Sequence, residues 1–197
     1  MYSSKNESVN VLVLLSGGID SASCAQFYKC QGYSVEALFI DYGQKAAIKE
    51  ADAALKIAKH LILPLKRISL TGTRDKIHGE ILGRNAFFLF IALMEFHQKS
   101  GLIGIGLHSG TPYYDCSENF ANRMQRLFEC YTDGCIKIGT PFLTWNKGDI
   151  FDYFSHTGIP SHLTYSCERG VQQPCGMCLS CKDLERYYAG KKHKDYS

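Results

Sequence analysis

A buried strand that runs directly into a pair of glycines limits this chain's possible folds more than any other feature of its sequence. Val11 to Leu15 are five consecutive apolar residues, followed at once by Ser16-Gly17-Gly18-Ile19-Asp20-Ser21. Two glycines adopt dihedrals that a side chain forbids, so successive peptide N–H groups can turn inward around an anion. The next stretch, Ser21 to Tyr28, reads as a helix whose N-terminus adds oriented N–H groups and a partial positive charge. The junction therefore reads as a phosphate cradle, with Ser16 and Ser21 as hydroxyl donors and Asp20 as a carboxylate able to hold Mg²⁺. It has neither the Gly-Lys-Ser/Thr ending of a Walker A loop nor the Gly-x-Gly-x-x-Gly of a dinucleotide fingerprint. The competing explanation is a tight turn whose glycines serve packing alone; the strand before it and the helix after it favour phosphate.

The rest of the chain repeats the alternation that this junction begins. Strands are expected at Asn10–Leu15, Ser34–Ile40, Leu65–Ser69, Leu102–Leu107 and Ile136–Gly139. Helices are expected at Ser21–Gln31, Lys45–His60, Arg84–Lys99, Glu118–Thr132 and Lys147–Gly158, with no internal repeat or low-complexity tract. That order predicts an α/β fold, an open, mostly parallel sheet with helices on both faces and ligands beyond the carboxyl ends of the strands. From about Tyr153 the pattern breaks. Residues 1–152 read as a nucleotide-binding α/β domain, and 153–197 as an appendage with two prolines and four cysteines.

The charge is nearly balanced at +3, so no broad nucleic-acid footprint is expected. Lys182, Lys191, Lys192 and Lys194 read as a solvated tail rather than a binding stripe. No run approaches the roughly 18 apolar residues of a spanning helix; the longest, Ala86 to Met94, reads as a core helix. Met1 to Asn10 lacks the pattern of a secretory signal, so the expected compartment is the cytoplasm and its cysteines are expected reduced. Of the nine cysteines, Cys24, Cys30, Cys116, Cys130 and Cys135 are scattered, whereas Cys167, Cys175, Cys178 and Cys181 crowd together. Four thiolates at that spacing match a closed tetrahedral zinc site, structural because no coordination position stays open; an iron–sulfur cluster is the alternative.

Several loops at the expected ligand edge carry chemistry. Asp41-Tyr42-Gly43-Gln44 follows the second strand and reads either as the approach to a helix or as a nucleotide or substrate contact. Gly83-Arg84-Asn85 opens a helix with an arginine, which opposes the dipole unless an anion compensates, making Arg84 a phosphate candidate. His108 to Cys116 is a Gly/Pro loop whose Tyr113 and Tyr114 could stack on a heterocycle. There Asp115 either meets the adjacent N–H donors of a guanine-type edge or caps the helix beginning near Cys116. Lys147 reads as a surface charge or as the cation that neutralises a leaving pyrophosphate.

Taken together, these motifs resemble the 7-cyano-7-deazaguanine synthase family, a branch of the PP-loop ATP pyrophosphatases with an adenine nucleotide alpha hydrolase-like fold. The resemblance runs from Val11 to about Arg186. It rests on Ser16 to Ser21, Asp41 to Gln44, Gly83-Arg84-Asn85, Tyr114-Asp115-Cys116, Thr140-Pro141 with Lys147, and the four cysteines. It implies ATP binding by Leu15, Ser16, Gly17, Gly18, Asp20, Ser21, Tyr42 and Gln44. It further implies substrate binding by Arg84, Asn85, Tyr114 and Asp115, a catalytic set of Asp20, Arg84 and Lys147, and a homodimer. The implied reaction adenylates 7-carboxy-7-deazaguanine, amidates it with ammonia and dehydrates the amide to the nitrile.

The chain departs from the family at Lys45-Ala46-Ala47, in a short Leu70–Leu82 stretch, in lacking a proline before Gly83, and at His108-Ser109-Gly110. These departures surround the substrate end. They leave open a relative that passes the activated acid to a protein amine, as family members in antiviral operons resemble doing. A zinc-ribbon nucleic-acid adaptor is the non-enzymatic alternative.

Overall fold

The computed structural model describes residues 8–71 and 81–194, with side chains through 189. Five strands, β1 (Asn10–Leu14), β2 (Ser34–Asp41), β3 (Leu65–Ser69), β4 (Gly101–Gly104) and β5 (Ile136–Gly139), form one sheet in the order β3-β2-β1-β4-β5. Every pairing is parallel, so the sheet expected to be mostly parallel is wholly so. The helices are α1 (Ile19–Cys30), α2 (Ala47–Leu61), α3 (Arg84–Glu95), α4 (Glu118–Thr132), α5 (Lys147–Ser155) and α6 (Leu179–Lys194).

Alternation along β1 explains both layers. Val11, Val13 and Leu15 enter a core shared with α1, α2 and α5, while Leu12 and Leu14 enter the opposite core with α3 and α4. A central strand buried on both faces has no polar side to show, hence the unbroken apolar run. The chain steps outward from β1 to β2 and β3, then crosses back to β4 on the other side of β1. Loops leaving β1 and β4 diverge there, opening a crevice at the point where strand order reverses.

Three expectations are corrected by the structure. Helix α3 ends at Glu95 rather than Lys99, and it is not buried all round. Only Asn85, Leu89 and Ala92 are fully buried, while Phe87 and Met94 are 52% and 78% exposed. Asp115 does not cap the helix after it: α4 starts at Glu118 as expected, and its cap is the Ser117 hydroxyl, which accepts from Phe120 N–H at 3.1 Å. Third, the cysteine-rich segment contains α6, which the apolar pattern did not reveal. This helix attaches through Leu184 and Tyr187, one turn apart, and the Tyr187 ring lies 4.6 Å from that of Phe151. The side chains of Lys191, Lys192 and Lys194, most of Met1 to Asn10 and most of Leu70–Leu82 lie outside the described residues.

The one-sided burial of α3 yields a paired expectation. Leu89→Ala should lower unfolding stability by about 3 kcal/mol through lost transfer energy and a residual cavity. Phe87→Ala on the same helix should change it by under about 0.5 kcal/mol. Urea denaturation of both variants reads the difference.

Candidate functional site

The crevice is a cavity of about 390 Å³ lined from β1, the β2–α2 turn, the start of α3, the loop after β4, Lys147 and the C-terminal segment. Its floor is the Ser16–Ser21 turn. Gly17 has φ +89°, and a Cβ there would stand 2.6 Å from the Glu50 carbonyl oxygen and 2.9 Å from Ala53 Cβ. Glycine is thus required twice at position 17, by dihedral and by the close approach of α2. Ser21 Oγ donates to the Gly18 carbonyl at 2.9 Å and accepts from Ser16 N–H at 3.2 Å, which locks the turn. Helix α1 starts with Gly18 as its N-cap and no side-chain cap, so its first N–H groups face the cavity edge without an intrahelical acceptor. Gly17 backs the floor, whereas Leu15, Ser16, Gly18, Asp20 and Ser21 line the cavity.

Asp20 and Lys147, 127 residues apart, meet above this floor. Lys147 Nζ donates to both Asp20 carboxylate oxygens at 2.6 Å, with the two side chains 24% and 30% exposed. Lys147 is the first residue of α5, and that end is fixed by a reciprocal cap: Asp149 N–H donates to Asn146 Oδ1, and Asn146 N–H donates to Asp149 Oδ2. His108 Nε2 lies 3.8 Å from Asp20 Oδ2. Burial pushes the His108 imidazolium below its ordinary range, outweighing the attraction of Asp20.

Across the cavity stand Arg84, Asn85 and Asp115. Asn85 N–H donates to Asp115 Oδ2 at 3.2 Å, and Asn85 Nδ2 donates to the Asp115 carbonyl at 3.0 Å. Asp115 thus caps α3, whose own N-cap, Gly83, has no side chain to do so. One carboxylate oxygen is committed to that cap; the other has a long contact from Cys116 Sγ at 3.9 Å. Arg84 hydrogen-bonds Tyr42 and lies in the field of Glu50, so carboxylates of the fold already offset its place at a helix start. Burial raises the Glu50 carboxyl and the Tyr42 phenol, while Arg84 pulls both back down. Gln44 lines the cavity and donates from Nε2 to Glu50 Oε2 at 2.8 Å. Tyr42 and Phe88, 5.0 Å apart between ring centroids, form an aromatic wall. Tyr114 stands apart from these groups, 56% exposed and outside the cavity lining; its neighbour Tyr113 occupies the lining position.

Sequence reasoning missed the contribution of the C-terminal segment. Tyr165 N–H donates to the Gly17 carbonyl at 2.9 Å, and Tyr165, Ser166, Glu168, Ser180 and Asp183 line the cavity. Nothing local marks these residues; only their nearness in sequence to Cys167 and Cys181 could have drawn attention to them.

Cys167, Cys175, Cys178 and Cys181 converge so that all four sulfur atoms lie within 4.8 Å of one another. Tetrahedral zinc–thiolate bonds of about 2.3 Å set sulfur–sulfur edges near about 3.8 Å, and Cys175 Sγ lies 3.9 Å from Cys181 Sγ. The cluster is therefore consistent with zinc. Backbone N–H groups of Met177 and Cys178 donate to Cys175 Sγ at 3.5 and 3.4 Å and hold its thiol down at about 6. Burial of Cys181 pushes its thiol up to about 12. Asp20, both of whose oxygens accept from Lys147, is a single carboxylate at the cavity floor, a donor set that would suit a cation keeping most of its waters.

Comparison with known proteins agrees with this architecture. The family model described as "Queuosine biosynthesis protein QueC" matches residues 10–82 and 73–191. A 7-cyano-7-deazaguanine synthase of Sulfurihydrogenibium sp. (strain YO3AOP1) is 33% identical, covering 89% of this chain and 92% of its own. Another, from Campylobacter fetus subsp. fetus (strain 82-40), is 33% identical over 86% and 87%. Among solved structures, a 4-thiouridine synthetase with RNA and bound ATP superposes with a TM-score of 0.52 at 15% identity, covering 92% of this chain and 50% of that one. The U34-tRNA thiolase NcsA of Methanococcus maripaludis gives 0.50 at 16%, covering 97% and 68%. These two show a shared fold. No helix among the described residues is long and apolar enough to cross a membrane.

The cluster geometry sets a direct expectation. The purified protein should carry one zinc per chain by elemental analysis and show no visible charge-transfer absorption. Cys175→Ser should lose the metal and lower the melting temperature, while Cys130→Ser, at an exposed scattered cysteine, should leave both unchanged.

Proposed function

Because this chain belongs to the QueC family, we propose that it uses ATP to activate the carboxylate of 7-carboxy-7-deazaguanine and converts it, through an amide made with ammonia, to 7-cyano-7-deazaguanine. The observation that carries this reading is the Asp20–Lys147 pair poised over the open N-terminus of α1, where strand order reverses. A carboxylate, a partly exposed lysine and uncapped N–H groups on one edge suit a polyphosphate that must be held and then released.

In this reading a substrate carboxylate oxygen attacks the α-phosphorus, and the bond from phosphorus to the bridging oxygen breaks. Pyrophosphate leaves with the electron pair, held by Ser16, Gly18, Ser21 and Lys147. Ammonia then attacks the acyl carbon, and AMP and a proton depart, leaving the amide; the amide oxygen attacks the α-phosphorus of a second ATP, releasing a second pyrophosphate and a proton, and loss of AMP and the remaining N–H proton leaves the nitrile. No side chain acts as nucleophile; the chain positions and neutralises. Asp20 would hold Mg²⁺, which when bound screens the phosphate charges. The four cysteines would hold zinc, which when bound staples the segment that closes the cavity.

Leu15, Tyr42 and Gln44 belong to the nucleotide side of this proposal. Asn85 and the uncommitted oxygen of Asp115 would meet the purine-like edge, with Arg84 near the reacting carboxylate. Tyr113 takes the stacking part expected of Tyr114, since it lines the cavity. The relatives bear the name of the nitrile-forming synthase, which favours ammonia over a protein amine, and none named above points to antiviral defence. A homodimer and a 153–197 appendage on a 1–152 nucleotide-binding unit complete the proposal.

Incubation with ATP, Mg²⁺, ammonium and 7-carboxy-7-deazaguanine should release AMP and pyrophosphate and yield the nitrile mass. ADP in place of AMP contradicts the proposal. Lys147→Ala should cut AMP formation by about 10²-fold, the scale of losing one preorganised charge-stabilising donor, with Lys147→Arg intermediate.

A further inference from the structure

His108 is a conspicuous group that the reading above leaves without a task. The residue is buried to 7% exposure, and its side chain lines the cavity and faces the Asp20–Lys147 pair. The backbone settles which ring nitrogen carries the proton. Gly110 N–H donates to His108 Nδ1 at 3.0 Å, so Nδ1 is an acceptor and, in the neutral ring, the hydrogen sits on Nε2. The turn that makes this bond is built tightly against the ring: a Cβ at Gly110 would stand 2.9 Å from Nδ1 and 3.1 Å from Cε1. Nε2 points toward Asp20 Oδ2 at 3.8 Å, beyond direct hydrogen-bond reach. The outcome is a fixed neutral N–H donor, held by its own backbone, with the gap in front of it facing the phosphate edge.

We propose that His108 is a further catalytic residue whose Nε2–H donates to an oxygen of ATP's phosphate chain as pyrophosphate departs. This rests on the nucleotide reading of the cavity and assigns a task within it. A general-base task does not fit, because Nε2 already carries the ring proton and the one basic nitrogen, Nδ1, is turned away onto the Gly110 N–H. No proton passes through His108: the Pα–O bond breaks, the electron pair leaves on pyrophosphate, and the ring donates a hydrogen bond throughout. Lys147 supplies charge at the same place and His108 supplies direction. A neutral donor adds stabilisation there without competing with Lys147 for Asp20.

The test compares His108→Gln, whose amide nitrogen can reach the Nε2 position, with His108→Asn, whose amide reaches only the Nδ1 position, and with His108→Ala. ATP affinity is measured by calorimetry with the α,β-methylene analogue, and AMP release in single turnover with 7-carboxy-7-deazaguanine. His108→Ala and His108→Asn should lower the AMP-forming rate by tenfold or more while analogue affinity changes less than threefold. His108→Gln should recover to within about threefold of the parent. Zinc content and melting temperature equal to the parent's confirm that each variant folds. An unchanged rate in His108→Ala, or Asn performing as well as Gln, overturns the proposal. A parent protein that binds the analogue yet never forms AMP instead sinks the functional reading beneath it, and the proposal with it.

Discussion

The Ser16–Ser21 turn keeps its shape because it is held between two backbones. Gly17 lets α2 approach within a distance no side chain would tolerate, and its carbonyl accepts the Tyr165 N–H from the far end of the chain. The first contact fixes the turn against the helical layer, and the second seats the cysteine-bearing segment on it. Gly170 makes the same kind of approach to the β2–α2 turn: it has φ +70°, and a Cβ there would stand 2.3 Å from the Lys45 carbonyl oxygen. Cavity floor and metal loop are therefore one packed assembly rather than two neighbours. The four cysteine sulfurs converge in that loop, and α6, which carries Cys181, packs on the core through Leu184 and Tyr187.

Charge is distributed across the cavity with opposite logic on its two sides. At the Ser16–Ser21 turn Asp20 and Lys147 neutralise each other at 2.6 Å, both partly exposed, so water screens their attraction. On the far side Arg84 hydrogen-bonds Tyr42 and lies in the field of Glu50, beside Asn85, whose N–H Asp115 caps. An arginine at a helix start is offset here by the fold itself. A phosphate could still recruit Arg84, but its placement no longer demands one.

Much of the architecture was legible in the chain. Apolar residues between helical stretches located all five strands; the signal is strongest in β1, which is buried on both faces, while the edge strands β3 and β5 carry Lys66, Arg67 and Lys137. Cysteine spacing marked the metal cluster for a similar reason, since four ligands within fifteen residues need only a compact loop to meet. Helix α6 escaped because its apolar contacts are too few to make a period. The exposed face of α3 escaped because periodicity cannot tell an apolar helix that is covered from one that is not. Asp115 was recognised as important, but its partner lies 30 residues away and its capping of α3 has no local signature.

By itself, then, the sequence determined the glycine turn, the strand order along the chain and the thiolate set, all of which depend on neighbouring residues and on backbone dihedrals. Tertiary structure alone decided that Lys147 meets Asp20, that His108 faces the same carboxylate with one tautomer selected, and that the C-terminal segment walls the cavity. The physical reason is that hydrogen bonds and ion pairs act over a few ångströms of space. Chain connectivity does not encode that proximity until a parallel sheet has brought the ends of β1, β4 and β5 to one edge.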